Sequence, residues 1–80
     1  MYSYNIAKEA DQKAFDNTCA LIEAKHKGIK KEQLLIDVDG SQIQIHNSPN
    51  GKIKVYNDYE VDAVYIDSDI DLKGTVKSLA

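Results

Sequence analysis

The sequence predicts one α+β domain, an N-terminal amphipathic helix packed on a four- or five-stranded antiparallel β-meander. Three observations carry this expectation. Apolar residues recur at three- and four-residue spacing through the first quarter of the chain. The period changes to two beyond Gly28, and turn dipeptides punctuate the remainder of the chain. No repeat, low-complexity segment or Pro/Gly/Ser-rich linker divides the 80 residues, so a single domain over 1–80 is expected.

The helix is expected at about residues 5–27. Ala7, Ala10, Ala14, Thr18 and Leu21 form its stripe, widened by Phe15, Cys19 and Ile22. Ser3 or Asn5 can act as N-cap, and Glu9 and Asp11 lie early, where the helix dipole favours anions. Lys25, His26 and Lys27 fill the last turn, and Gly28 supplies the left-handed C′ position.

Strands are expected within 33–77. Asp39-Gly40 marks a hairpin that pairs Val38 with Ser41, Ile36 with Ile43 and Leu34 with Ile45, all apolar partners on one face. At Ser48-Pro49-Asn50-Gly51, a three-residue loop sets Ile45 against Val55 and keeps Ile53 and Val55 on the core side. A reversal near Asn57-Asp58 leads into Tyr59, Val61, Ala63 and Tyr65. There the inward parity conflicts with Val64 and Ile66, so a bulge is expected around 63–65. Ile70, Leu72 and Val76 suggest a short final strand.

Bulk properties narrow the function. A domain of this size buries only about 60–65% of its unfolded surface, so its margin of stability is small. One cysteine, Cys19, permits neither an intrachain disulfide nor a cysteine-based zinc site. No apolar run reaches membrane-spanning length, and the first residues lack the features of an export signal. With a lone thiol, this points to the cytoplasm. All ten basic residues are lysine and the net charge is −3, which disfavours direct nucleic-acid binding. Residues 33–80 hold eight acids against four lysines, so the second half is the acidic half.

No catalytic motif emerges. Asp67-Ser68-Asp69-Ile70-Asp71 opens like a calcium loop but lacks the glycine and glutamate that complete one. Cys19 and His26 lie two helical turns apart, too far for a nucleophile–base pair, so Cys19 reads as a buried hydrophobe and His26 as a C-terminal cap. His46 reads as exposed beside its turn. The glycines are isolated, and no cofactor or metal is implied.

Asp58, Glu60 and Asp62, spaced by two, would line one side of a strand, either as a solvated edge or as an acidic docking face. Asp67, Asp69 and Asp71 extend that set, and Tyr56 among charges suits an interface anchor. The expected function is therefore a small, acidic, non-enzymatic binding protein. Its partner would be a larger protein with a basic surface, such as a nucleic-acid-binding one. An inhibitor or anti-defence factor is the favoured role, and the arginine-free, Lys/Ile/Asn-rich composition suggests a phage or mobile-element source. Two alternatives stand beside it: a self-associating accessory protein using an edge strand or a tyrosine face, and a small metal-binding protein.

Overall fold

The computed structural model describes residues 1–79. It is α+β, with strands β1 (Tyr2–Ala7), β2 (Lys30–Lys31), β3 (Leu35–Ile36), β4 (Gln42–Ser48), β5 (Gly51–Asp58) and β6 (Ala63–Ser68). Helix α1 (Gln12–Lys25) follows β1, and a short α2 (Lys73–Lys77) follows β6. All pairings are antiparallel, in the order β1-β6-β5-β4-β2, with β3 also on β4. The sheet thus has six strands rather than four or five.

The helix begins later than its apolar stripe suggested. Asp11 is the N-cap, its Oδ1 accepting the Ala14 N–H at 3.1 Å. Residues 2–7 are instead an edge strand, because Tyr2, Tyr4 and Ile6 alternate with Ser3 and Asn5 and match the inward face of β6. Tyr4 locks this strand down: its hydroxyl donates to Asp71 Oδ1 at 2.9 Å and accepts the Leu72 N–H at 2.8 Å. At the far end His26 is the cap residue, and Gly28 takes its left-handed φ of +77° two residues later.

Phe15, Thr18, Cys19 and Ile22 are the buried positions of α1. They lie on Ile53, Val55, Val64 and Ile66, which are all but completely buried, together with Leu72. Each large side chain so covered contributes roughly 1.5–3 kcal/mol relative to exposure. Ile53 and Val55 face inward as expected, and Val64 and Ile66 settle the parity of β6. The bulge expected at 63–65 is absent, because Tyr59 and Val61, whose parity conflicted, lie in the turn before β6; the irregularity is instead on β1. Asn5 faces Tyr65 and Ala7 faces Val64, so Ile6 is the extra residue.

Both hairpins of the central sheet differ from expectation by one residue. Leu35 faces Ile43 and Ile36 faces Gln42, leaving 37–41 as a wider loop. The Asp37 N–H donates to Ser41 O at 2.8 Å, and Asp39 Oδ1 accepts the Ser41 N–H at 2.8 Å. Ile36 and Val38 consequently stand in solvent, at 66% and 104% relative exposure. The next loop has two residues, Pro49 and Asn50, so Ile45 faces Lys54 and Gln44 faces Val55.

Together these shifts place Gln44 and His46, not Ile43 and Ile45, on the core side of β4. Polar residues can occupy that side because they find partners there. Gln44 Nε2 donates to Glu32 O, and His46, fully buried rather than exposed, places Nε2 2.8 Å from Glu23 Oε2.

Tyr59–Asp62 forms a turn rather than a strand. Asp58 Oδ1 accepts the N–H groups of Glu60 and Val61 at 2.9 and 3.3 Å, and Asp62 adopts a left-handed φ of +56°. Nor do Ile70, Leu72 and Val76 form a strand. Asp71 Oδ1 accepts the Lys73 N–H at 2.9 Å, α2 winds from there, and Leu72 drops into the core. Among the described residues no helix is long and apolar enough to cross a membrane.

Gly51 sits at φ +146°, and a Cβ there would lie 2.6 Å from Asp69 Cβ. Asp69 cannot yield easily, since its N–H donates to Lys52 O and its Oδ2 accepts the Lys52 N–H. Urea denaturation of Gly51→Ala should show a loss of about 2 kcal/mol or more. Gly74→Ala, in α2 with open space around it, should be neutral or stabilising by up to about 1 kcal/mol. In the same assay Glu23→Ala, which leaves the His46 ring without a hydrogen-bonding partner, should cost about 1–3 kcal/mol, and Glu23→Gln less.

Candidate functional site

Because Val55 and Ile66 point toward α1, their neighbours Tyr56 and Tyr65 point the other way. The pairings carry a row across that outer face: Leu35, Ile43, Tyr56, Tyr65 and Asn5. None of these side chains is buried. Tyr56 and Tyr65 stack with ring centroids 4.6 Å apart and planes inclined by 11°. Tyr65 also donates to Asp58 Oδ2 at 3.2 Å. Burial first, and then this bond to Asp58, push its phenol from 10.0 up to about 12. Burial and the Asp67 charge raise Tyr56 in the same direction.

One end of this row opens into a shallow cleft of about 100 Å³ between the 37–41 loop and the β5–β6 turn. Tyr56 and Ile43 form part of its lining, and four carboxylates, Asp37, Asp39, Asp58 and Glu60, surround it without a lysine among the lining residues. The amide and hydroxyl of Ser41 hold Asp39 below the ordinary carboxylate value, so it stays charged. The two loops meet where Tyr59 lies against Gly40, with 3.5 Å left for a Cβ. On the same loops Val38, Tyr59 and Val61 are large, apolar and exposed, as is Ile36 on the other face of β3. A concave acidic surface between loops that expose apolar side chains is suited to a cationic, partly apolar counterpart.

The residues singled out by sequence are only partly gathered here. Tyr56, Asp58 and Glu60 line the cleft. Asp62 does not share a strand face with them; its Oδ1 accepts the Ala10 N–H at 2.8 Å, joining the turn to the approach to α1. Asp67 stands on the outer face, opposite Lys54, and accepts the Ser3 hydroxyl at 2.8 Å. Asp69 and Asp71 serve their own backbone surroundings, with Asp71 held low by the Lys73 amide and the Tyr4 hydroxyl. The expected row of three carboxylates along one strand is therefore replaced by a cluster that spans two loops.

Asp37, Asp39, Ile43 and Tyr65 were missed. For Asp37, Asp39 and Ile43 the signal was the alternation about Asp39-Gly40, which read as an ordinary hairpin edge. The alternation from Tyr59 sets Tyr65 on the inward side, and its pairing with Tyr56 reverses that. A second hollow, about 610 Å³, lies between α1 and residues 31–34, beside Cys19. Burial, then Glu23 and Asp16, push that thiol up to about 12, so it is no thiolate nucleophile at neutral pH. Among the described residues no three His, Cys, Asp or Glu side chains are grouped to hold a metal ion.

Comparison with protein-family models, curated proteins and solved structures finds no match to this chain.

The Tyr65 phenol provides a test of the outer face. Its folded value lies above the unfolded one, so its contribution to stability is complete below pH 10 and declines as pH rises toward 12. Absorbance titration should find late-ionising tyrosines in the native protein, with Tyr65 among them. Asp58→Ala should bring that ionisation earlier, because it removes both the bond and the nearby charge.

Proposed function

We propose that this chain is a non-enzymatic binding protein that docks its acidic cleft onto a basic surface of a larger protein. The carrying observation is the junction of Asp37, Asp39, Asp58 and Glu60 beside Tyr56, on two loops that also expose Val38, Tyr59 and Val61. Carboxylates steer the approach of a cationic partner, and the exposed apolar side chains of the two loops supply area to bury once contact is made. An exposed valine at a loop tip adds nothing to the fold of this chain, whereas at an interface it is desolvated.

A lysine- and arginine-rich site for nucleic acid is the kind of surface this cleft complements. Covering such a site would inhibit the partner, which is the sense in which an inhibitor or anti-defence role fits. The buried, free thiol of Cys19 is in keeping with a cytoplasmic setting.

The experiment is capture from cell lysate on the immobilised chain, with the retained proteins identified and their affinities then measured singly. A retained basic protein should dissociate as salt is raised. Asp37→Lys combined with Glu60→Lys should slow its association by about tenfold or more, while Asp16→Lys, on α1 at the opposite face of the sheet, leaves the rate nearly unchanged. Retention by the double variant at the unaltered rate would remove the cleft from the interface.

A further inference from the structure

The two edges of the sheet are built in opposite ways. On one side β4 is flanked by β2 and β3, of two residues each, and β2 consists of the exposed Lys30 and Lys31. Very short strands and lysines are ordinary means of stopping a sheet from growing. On the other side β1 runs for six residues, Tyr2-Ser3-Tyr4-Asn5-Ile6-Ala7, with no charge and no proline. Alternate residues of such a strand turn their N–H and C=O toward β6, and those between turn them outward. Among the described residues no group beyond the β6 ladder bonds to the backbone of β1. The extra residue at Ile6 lies near the end of the strand, so Tyr2–Asn5 remain regular.

We propose that β1 pairs antiparallel with β1 of a second copy of this chain, joining two six-stranded sheets into one. The absence of charge along β1 suits this occupant. Each copy carries a net −3, but β1 itself holds no charged residue, and Asp71, the carboxylate beside Tyr4, is engaged by the Tyr4 hydroxyl. The carboxylate nearest on the outer face, Asp67, is already engaged by the Ser3 hydroxyl. Pleat phase limits the register to pairings of like faces, and with Tyr4 opposite Tyr4 each Ser3 faces the Asn5 of the other copy on the outer face. These are small, uncharged, mutually hydrogen-bonding side chains. The pairing also shields the one long open edge of a domain whose own core is small.

Sedimentation equilibrium from micromolar to submillimolar concentration should show reversible dimers. Ser3→Lys combined with Asn5→Lys places lysines opposite one another twice per dimer and should raise the dissociation constant by about tenfold or more. Circular dichroism should be unchanged, because both side chains are exposed. A measurement independent of any variant is amide exchange across a dilution series of the native protein. Protection within residues 2–7 should fall with dilution while that of β5 holds. A chain that stays monomeric throughout, a dimer indifferent to the two lysines, or β1 protection independent of concentration would each overturn the pairing.

Discussion

Ile53, Val55, Val64 and Ile66 press against Phe15, Cys19 and Ile22 of α1, and this contact sets the phase of the whole sheet. Strand side chains alternate, so inward Val55 requires outward Tyr56, and inward Ile66 requires outward Tyr65. The same phase dictates the stacked tyrosines, the apolar row through Ile43 and the position of Asp58 at the end of β5. A shift of one residue in β5 would bury Lys54 and Tyr56 and expose the valine and isoleucine now holding the helix. Burying an unpaired lysine is costly enough to exclude that alternative. Even the apolar surface on the outer face is thus a consequence of packing on the other.

The carboxylates divide into two kinds by what they touch. Asp11, Asp62, Asp69 and Asp71 accept backbone N–H groups, and these bonds end or join elements. They belong to the fold, although nothing in their composition separates them from the others. Asp37, Asp39 and Asp58 are intermediate: Asp37 and Asp39 accept the Val38 and Ser41 N–H groups within their own loop, and Asp58 organises the turn after β5 and holds the Tyr65 hydroxyl, while all three line the cleft. Glu60 lines the cleft without an engagement of that sort. A carboxylate already satisfied by backbone donors has less to offer a partner, so the number of acids in the second half overstates the strength of its acidic surface.

Much of the fold was legible because burial enforces period. The helix stripe at Phe15, Thr18, Cys19 and Ile22 and the inward residues of β5 could be read directly, whereas in β6 Val64 and Ile66 competed with the opposite parity of Tyr59 and Val61, which belong to the turn. The start of α1 could not. Ile6, Ala7 and Ala10 fit the helical spacing by coincidence, while the competing alternation of Tyr2, Tyr4 and Ile6 gains meaning only once β6 supplies a partner. Strand β4 misled for a related reason. Its isoleucines suggested the core side, but Gln44 and His46 find Glu32 and Glu23 across the chain, and such partners are invisible to a local pattern. The cleft inherited both difficulties. Asp37 and Asp39 join Asp58 and Glu60 only because the 37–41 loop is wider than the Asp39-Gly40 signal implied.

The edge pairing and the acidic cleft bear on each other through symmetry. Setting Ser3 against Asn5 keeps outer-face residues opposite outer-face residues, so the two-fold axis runs through the sheet and both clefts open on the same side. Counting strands from the cleft in one copy to that in the other gives five spacings, or roughly 25 Å across the sheet. The antiparallel relation adds a displacement along the strands. A dimer would therefore present two acidic sites at a fixed separation, and a partner with two basic patches so spaced would be held by both. The second contact would form at a high effective concentration, and weak single sites would suffice for firm binding. On that reasoning the uncharged edge and the charged cleft are complementary: one brings copies together along a strand that holds no charged residue, and the other aims its carboxylates at something else.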